Sequence, residues 1–190
     1  MTAAATAAQG GSPPLRAVRA LRRGVEGLST VMAYLAGWNY VLCAVFITVD
    51  VVGRSLFGIS SAATVEVTSY MLAIGIAWSL AHTLAMRAHI RVDVLVNRMP
   101  LRLRAGFHLF SIALLTGFAG FLAWAGWQIL DESILFDAHD NSALHVPMWI
   151  PQGLWALGLL VFLAMAAALT LESLLALLGG RTREVEALLS

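Results

Sequence analysis

Asp50 and Arg54 stand four residues apart, a spacing that sets a carboxylate and a guanidinium on one face of a helix. Glu66 follows a short connection later, at the start of the next apolar run. An ionisable residue at a membrane edge is a functional candidate by default, and its partner has to be named. Two chemistries fit these three residues. They can satisfy one another as an Asp–Arg–Glu cluster that locks two helices, or Asp50 and Glu66 can serve a proton or ion path. A relay needs carboxylates at mid-depth, and none of the spans carries one there, which favours the lock.

A second charged group, Arg87, His89, Arg91 and Asp93, lies in the stretch Met86–Pro100, the most charged part of the chain. One histidine and one aspartate are too few to hold a metal. The arginines suit anionic lipid headgroups, at ~1 kcal/mol each, and His89 can pair with Asp93 where the segment is helical. His82 and His108 sit at compatible depths near the inner ends of two apolar runs, as two imidazoles holding a haem would. A haem-bearing anchor of a redox enzyme is therefore the alternative function. His139 and His145, in the acidic stretch FDAHDNSALH, lack the fixed spacing of a helical metal site. No nucleophile, P-loop or dinucleotide motif occurs. The expectation is a chain without catalytic or substrate-binding residues, without metal or cofactor, and with no nucleic-acid partner.

The elements that position these residues are set by composition. Of 190 residues, 59% are hydrophobic and 12% charged, with a mean hydropathy of +0.81. Soluble domains carry roughly 25% charged residues, so this is an all-α, polytopic membrane protein. Four apolar runs, about 28–53, 64–86, 105–130 and 148–178, each reach the ~20 residues a spanning helix needs. Pro147 and Pro151 are expected to break the outer end of the last. Together the runs form one transmembrane domain over 28–180, followed by a tail at 181–190. Residues 1–14 are small and polar and read as a disordered tail. Residues 15–27 alternate Leu15, Val18, Leu21 and Val25 with four arginines, which predicts a short amphipathic helix lying in the headgroup region. The following apolar run exceeds the ~7–15 residues of a signal-peptide core, so it reads as a retained anchor.

Arginine counts set the orientation. The N-terminal flank has four, the 54–63 loop one, the 87–104 loop five, the 131–147 loop none and the C-terminal tail two. The positive-inside rule puts both termini and the 87–104 loop in the cytoplasm. The outward 131–147 loop carries Asp131, Glu132, Asp137 and Asp140, with Trp124, Trp127 and Trp149 at interface depth.

Trp38 and Trp78 lie well inside their spans, where a protein-facing contact suits them better than a belt. Small residues recur at Ala33/Gly37, Gly75/Ser79, Ala113/Gly117 and Ala119/Ala123, a spacing that lets helix backbones approach closely in lipid. Packing within the bundle and contact with a partner both fit these positions. No inverted repeat and no Gly/Pro-broken helix pair marks a midplane substrate site. The chain reads as a subunit.

The combination of Asp50-Val-Val-Gly-Arg54, Glu66, Arg87-Ala-His89-Ile90-Arg91-Val-Asp93 with Pro100, and Val146-Pro147-Met-Trp149-Ile-Pro151 resembles the small integral membrane subunit of TRAP (tripartite ATP-independent periplasmic) transporters, the DctQ-like family. The resemblance covers roughly residues 28–178. It implies a four-span accessory subunit of the bacterial inner membrane that braces a large, solute-carrying membrane subunit. A periplasmic binding protein would deliver an organic acid to the outer face, with Asp137 and Asp140 as possible contacts, and an ion gradient would drive uptake.

Overall fold

A computed structural model describes residues 13–58, 63–86, 100–141 and 144–179. Among these residues the chain forms four helices: α1 (Pro13–Phe57), α2 (Thr64–Ala85), α3 (Leu101–Leu135) and α4 (Trp149–Leu178). All four are long and apolar enough to cross a membrane.

The helix limits follow local chemistry. Prolines at 13 and 14 open α1, where a missing N–H costs nothing because first-turn donors have no intrahelical acceptor. Gly58 closes it in the left-handed region at φ 66°. Pro100, extended at ψ 147°, precedes α3. The predicted break at Pro151 does not occur. That proline occupies the first turn of α4, where its lack of a donor is tolerated.

The region 15–27 also departs from expectation, because it forms no separate helix. The 45 residues of α1 run unbroken, about 67 Å at ~1.5 Å per residue. That is more than twice the ~30 Å hydrocarbon thickness. Most helix formation in this stretch is carried by packing, since Leu15 is buried and Val25 lies against the main core.

α4 is the hub. It packs against α1, α2 and α3, whereas α3 reaches the bundle almost wholly through α4. Half of the most apolar stretch of α4 is buried, against 11% for α1. The core centres on Phe162, Met165, Ala166 and Leu169 of α4, with Met32, Leu84 and Ile112 from the other three helices. The α2–α4 crossing is tight. A Cβ on Gly158 would lie 2.8 Å from the backbone carbonyl carbon of Ala77. Across α3–α4, the hydroxyls of Thr116 and Thr170 meet at 2.7 Å.

The small-residue pairs divide between two uses. Gly75 receives Tyr40 of α1, whose ring would meet an added Cβ at 2.8 Å, and Ala119 and Ala123 are buried in the core. Gly37 and Gly117 have nothing within 4 Å of an added Cβ and face outward. Gly158→Ala is therefore expected to force α2 and α4 apart at a cost of ~1–3 kcal/mol, read as a lower melting temperature in detergent. Gly117→Ala should leave the melting temperature unchanged, and equal effects at both positions would contradict the packing.

Candidate functional site

Charge gathers at both ends of the bundle. At one end, Glu172 of α4 is 1% exposed, although it is the only charged residue between Trp149 and Leu178. An unpaired carboxylate in such a place would carry a penalty of several kcal/mol. It is instead gripped by α1: Arg19 Nε donates to Oε1 at 2.9 Å and Arg22 Nε donates to Oε2 at 2.7 Å. Arg22 also reaches Glu26 through Nη1, one turn along the same helix. Two arginines and two glutamates thus sum to zero charge in a partly buried cluster. Glu26 terminates the cluster on α1, where its carbonyl accepts from Ser29 Oγ at 2.9 Å and Thr30 Oγ1 at 2.8 Å.

Sequence reasoning passed over this cluster. Glu172 was not singled out, and the arginines of 15–27 looked like headgroup contacts. The available signal was the lone carboxylate of the last span combined with Arg19 and Arg22 three apart, on one face of one helix.

At the other end, Arg54 Nη2 donates to Asp50 Oδ2 at 2.9 Å. The Asp50 side chain is 6% exposed and that of Arg54 60%, so the arginine covers a buried carboxylate while keeping its own head accessible. Glu66 stands outside this ion pair. Its Oε2 is buried with no hydrogen-bond partner among the described residues. One turn on, Tyr70 donates its hydroxyl to Asp140 Oδ2 at 2.7 Å and contacts Met148 Sδ at 3.6 Å.

Asp140 is thereby tied to α2 and half-buried, whereas Asp137 is exposed. The segment between α3 and α4 is folded back on itself. Asp140 N donates to Val146 O at 3.0 Å, Met148 N donates to Ala138 O at 2.9 Å, and His139 bridges Pro147 in antiparallel fashion. Asp137 and His145 adopt positive φ at the turns of this segment, at 48° and 43°.

The two intraspan tryptophans behave differently. Trp78 donates its indole N–H to the Leu154 carbonyl of α4 at 2.7 Å, a contact within the bundle. Trp38 is 67% exposed on α1. His82 Nδ1 lies 3.4 Å from Thr30 Oγ1 of α1, and His108 is buried on α3. Arg87, His89, Arg91 and Asp93 lie outside the described residues.

A cleft of about 110 Å³ between α2 and α4 is lined by Tyr70, Ala73, Met148, Pro151, Gln152 and Trp155. It is smaller than the ~300–1,000 Å³ typical of a small-molecule site. No group of three or more metal-ligating side chains occurs among the described residues.

Glu172→Ala is expected to remove the hold of Arg19 and Arg22 on α4 and to cost ~1–3 kcal/mol, the worth of hydrogen bonds to a charged group. The measurements are folded yield and melting temperature of the purified protein. A variant as stable as wild type would show that the cluster holds nothing.

Comparison with known proteins follows the same lines. Neither curated proteins nor solved structures gave a match. A family model described as "Tripartite ATP-independent periplasmic transporters, DctQ component" matches residues 43–177, from the middle of α1 to the last residues of α4. It gives the haem reading of His82 and His108 no support. The match covers well over half of the chain and all four helices, and the chain belongs to the DctQ family of small membrane components of TRAP transporters.

Proposed function

We propose that this protein is the non-catalytic brace of an ion-gradient-driven TRAP transporter for organic acids, carrying neither the solute nor the coupling ion itself. The family implies association with a large membrane subunit and a substrate-binding protein. The observation that carries the bracing role is the unequal burial of the bundle. α4 is enclosed by the other helices, while the spanning part of α1 is only 11% buried and presents Tyr34, Trp38, Leu42, Val45 and Val49 outward.

On this reading the protein is a multi-pass component of the bacterial inner membrane with both termini in the cytoplasm. Eleven of the twelve arginines then fall on the inner side, where those left unpaired meet anionic lipids. The end bearing Asp50, Glu66 and the 131–147 loop faces the periplasm and helps form the docking face. Asp137 is the better placed of the two loop aspartates to meet the binding protein, because Asp140 is engaged by Tyr70. The Asp50–Arg54 pair lies at the outer end of α1, and Glu66 at the start of α2 keeps an acceptor oxygen without a partner among the described residues.

The test is the stability of the large subunit purified with and without this chain. A brace predicts that the large subunit co-elutes with the tagged chain, and that without it the large subunit melts several degrees lower or aggregates. An unchanged melting temperature would overturn the bracing role.

A further inference from the structure

Two tryptophans inside the apolar spans set the same chemical problem and receive different answers. An indole N–H in hydrocarbon has no water to bond, and leaving it without an acceptor costs free energy. Trp78 is satisfied inside the chain by the Leu154 carbonyl at 2.7 Å. Trp38 has no acceptor among the described residues, and it is 67% exposed.

The depth of Trp38 makes this consequential. The charged cluster at one end of α1 closes with Glu26, and the ion pair at the other end begins with Asp50. Trp38 is twelve residues from each, about 18 Å along the helix axis at ~1.5 Å per residue. A side chain there cannot turn its N–H to either interface, as tryptophans in an aromatic belt do. One turn earlier, Tyr34 is 73% exposed and its hydroxyl also finds no acceptor among the described residues. The two aromatics form the row next to Ala33 and Gly37, and an added Cβ at Gly37 would meet nothing within 4 Å. This one face of α1 thus combines polar-tipped aromatics with a groove shallow enough for a second backbone to approach.

We propose that the α1 face centred on Trp38 receives a transmembrane helix of the large membrane subunit, which presents an oxygen acceptor to the Trp38 indole N–H at mid-depth. The proposal rests on the subunit reading above and deepens it by naming the contact. Lipid tails carry no acceptor, so they leave the indole as the isolated chain leaves it. A partner helix supplies one through a Ser or Thr hydroxyl, an Asn or Gln side chain, or a carbonyl freed at a kink. The Ala33/Gly37 groove lets that helix come near enough to offer it.

The experiment uses the chain co-expressed with its large subunit and purified as a complex. A benzophenone side chain replaces Trp38 in one sample and Phe118, exposed on α3, in another. The expected result is a photo-adduct between position 38 and the large subunit, with only lipid adducts from position 118. Trp38→Phe, which keeps an aromatic ring and loses the donor, should weaken the complex about threefold. That is the ~0.6 kcal/mol average for one hydrogen bond in lipid converted at 1.4 kcal/mol per tenfold.

An adduct from position 38 with lipid, or with a second copy of this chain, in an otherwise intact complex overturns the proposal and leaves the subunit reading standing. Undiminished association of Trp38→Phe overturns the hydrogen bond. Failure of the wild-type chain to bring down any large subunit overturns the subunit reading and this proposal together.

Discussion

A carboxylate buried in an apolar helix has to be neutralised where it stands, and Glu172 is neutralised by α1. This contact joins α1 to α4 across about 150 residues of sequence. It fixes the register of α1 along α4, because Arg19 and Arg22 must meet the two carboxylate oxygens together. Once that register is set, Met32 of α1 joins Phe162 and Met165 of α4 in the common core. The same contact adds to the packing of Leu15 and Val25 in holding α1 helical ahead of its apolar run. Buried charge networks of this kind add little net stability compared with an apolar replacement, but they penalise every alternative register that leaves a charge alone.

The two ends of the bundle solve different problems. At the Glu172 end the buried carboxylate is met by Arg19 and Arg22, and beside it Ser29 and Thr30 donate to the Glu26 backbone carbonyl along α1. The Asp50 end is more open, with an exposed Arg54 head, an unbonded Glu66 oxygen and an exposed Asp137 on a loop pinned by Tyr70.

Much of the fold was legible in the residues. Hydropathy marked four helices long and apolar enough to cross a membrane, because the bilayer requires about 20 apolar residues whatever the fold. The continuity of α1 was not legible. Basic residues at spacings of three and four suit a surface helix as well as a helix that clamps a neighbour. The decision lies in Glu172, some 150 residues away. Likewise, periodicity placed Trp38 and Trp78 inside spans and could not say which faced its own bundle. That depends on Gly158, whose missing side chain lets Trp78 close on α4. Asp140 looked like a free rim charge in an acidic loop, and only its hydrogen bond with Tyr70, 70 residues earlier, shows it to be a fastening.

The central claim is that α1 and Glu172 are energetically coupled. A double-mutant cycle between Arg19→Gln and Glu172→Gln, read as unfolding free energy of the purified protein, measures this coupling without counting the general cost of each substitution. The predicted result is a coupling of at least ~1 kcal/mol, with the double variant more stable than the two single losses imply. Strict additivity of the two substitutions would contradict the account.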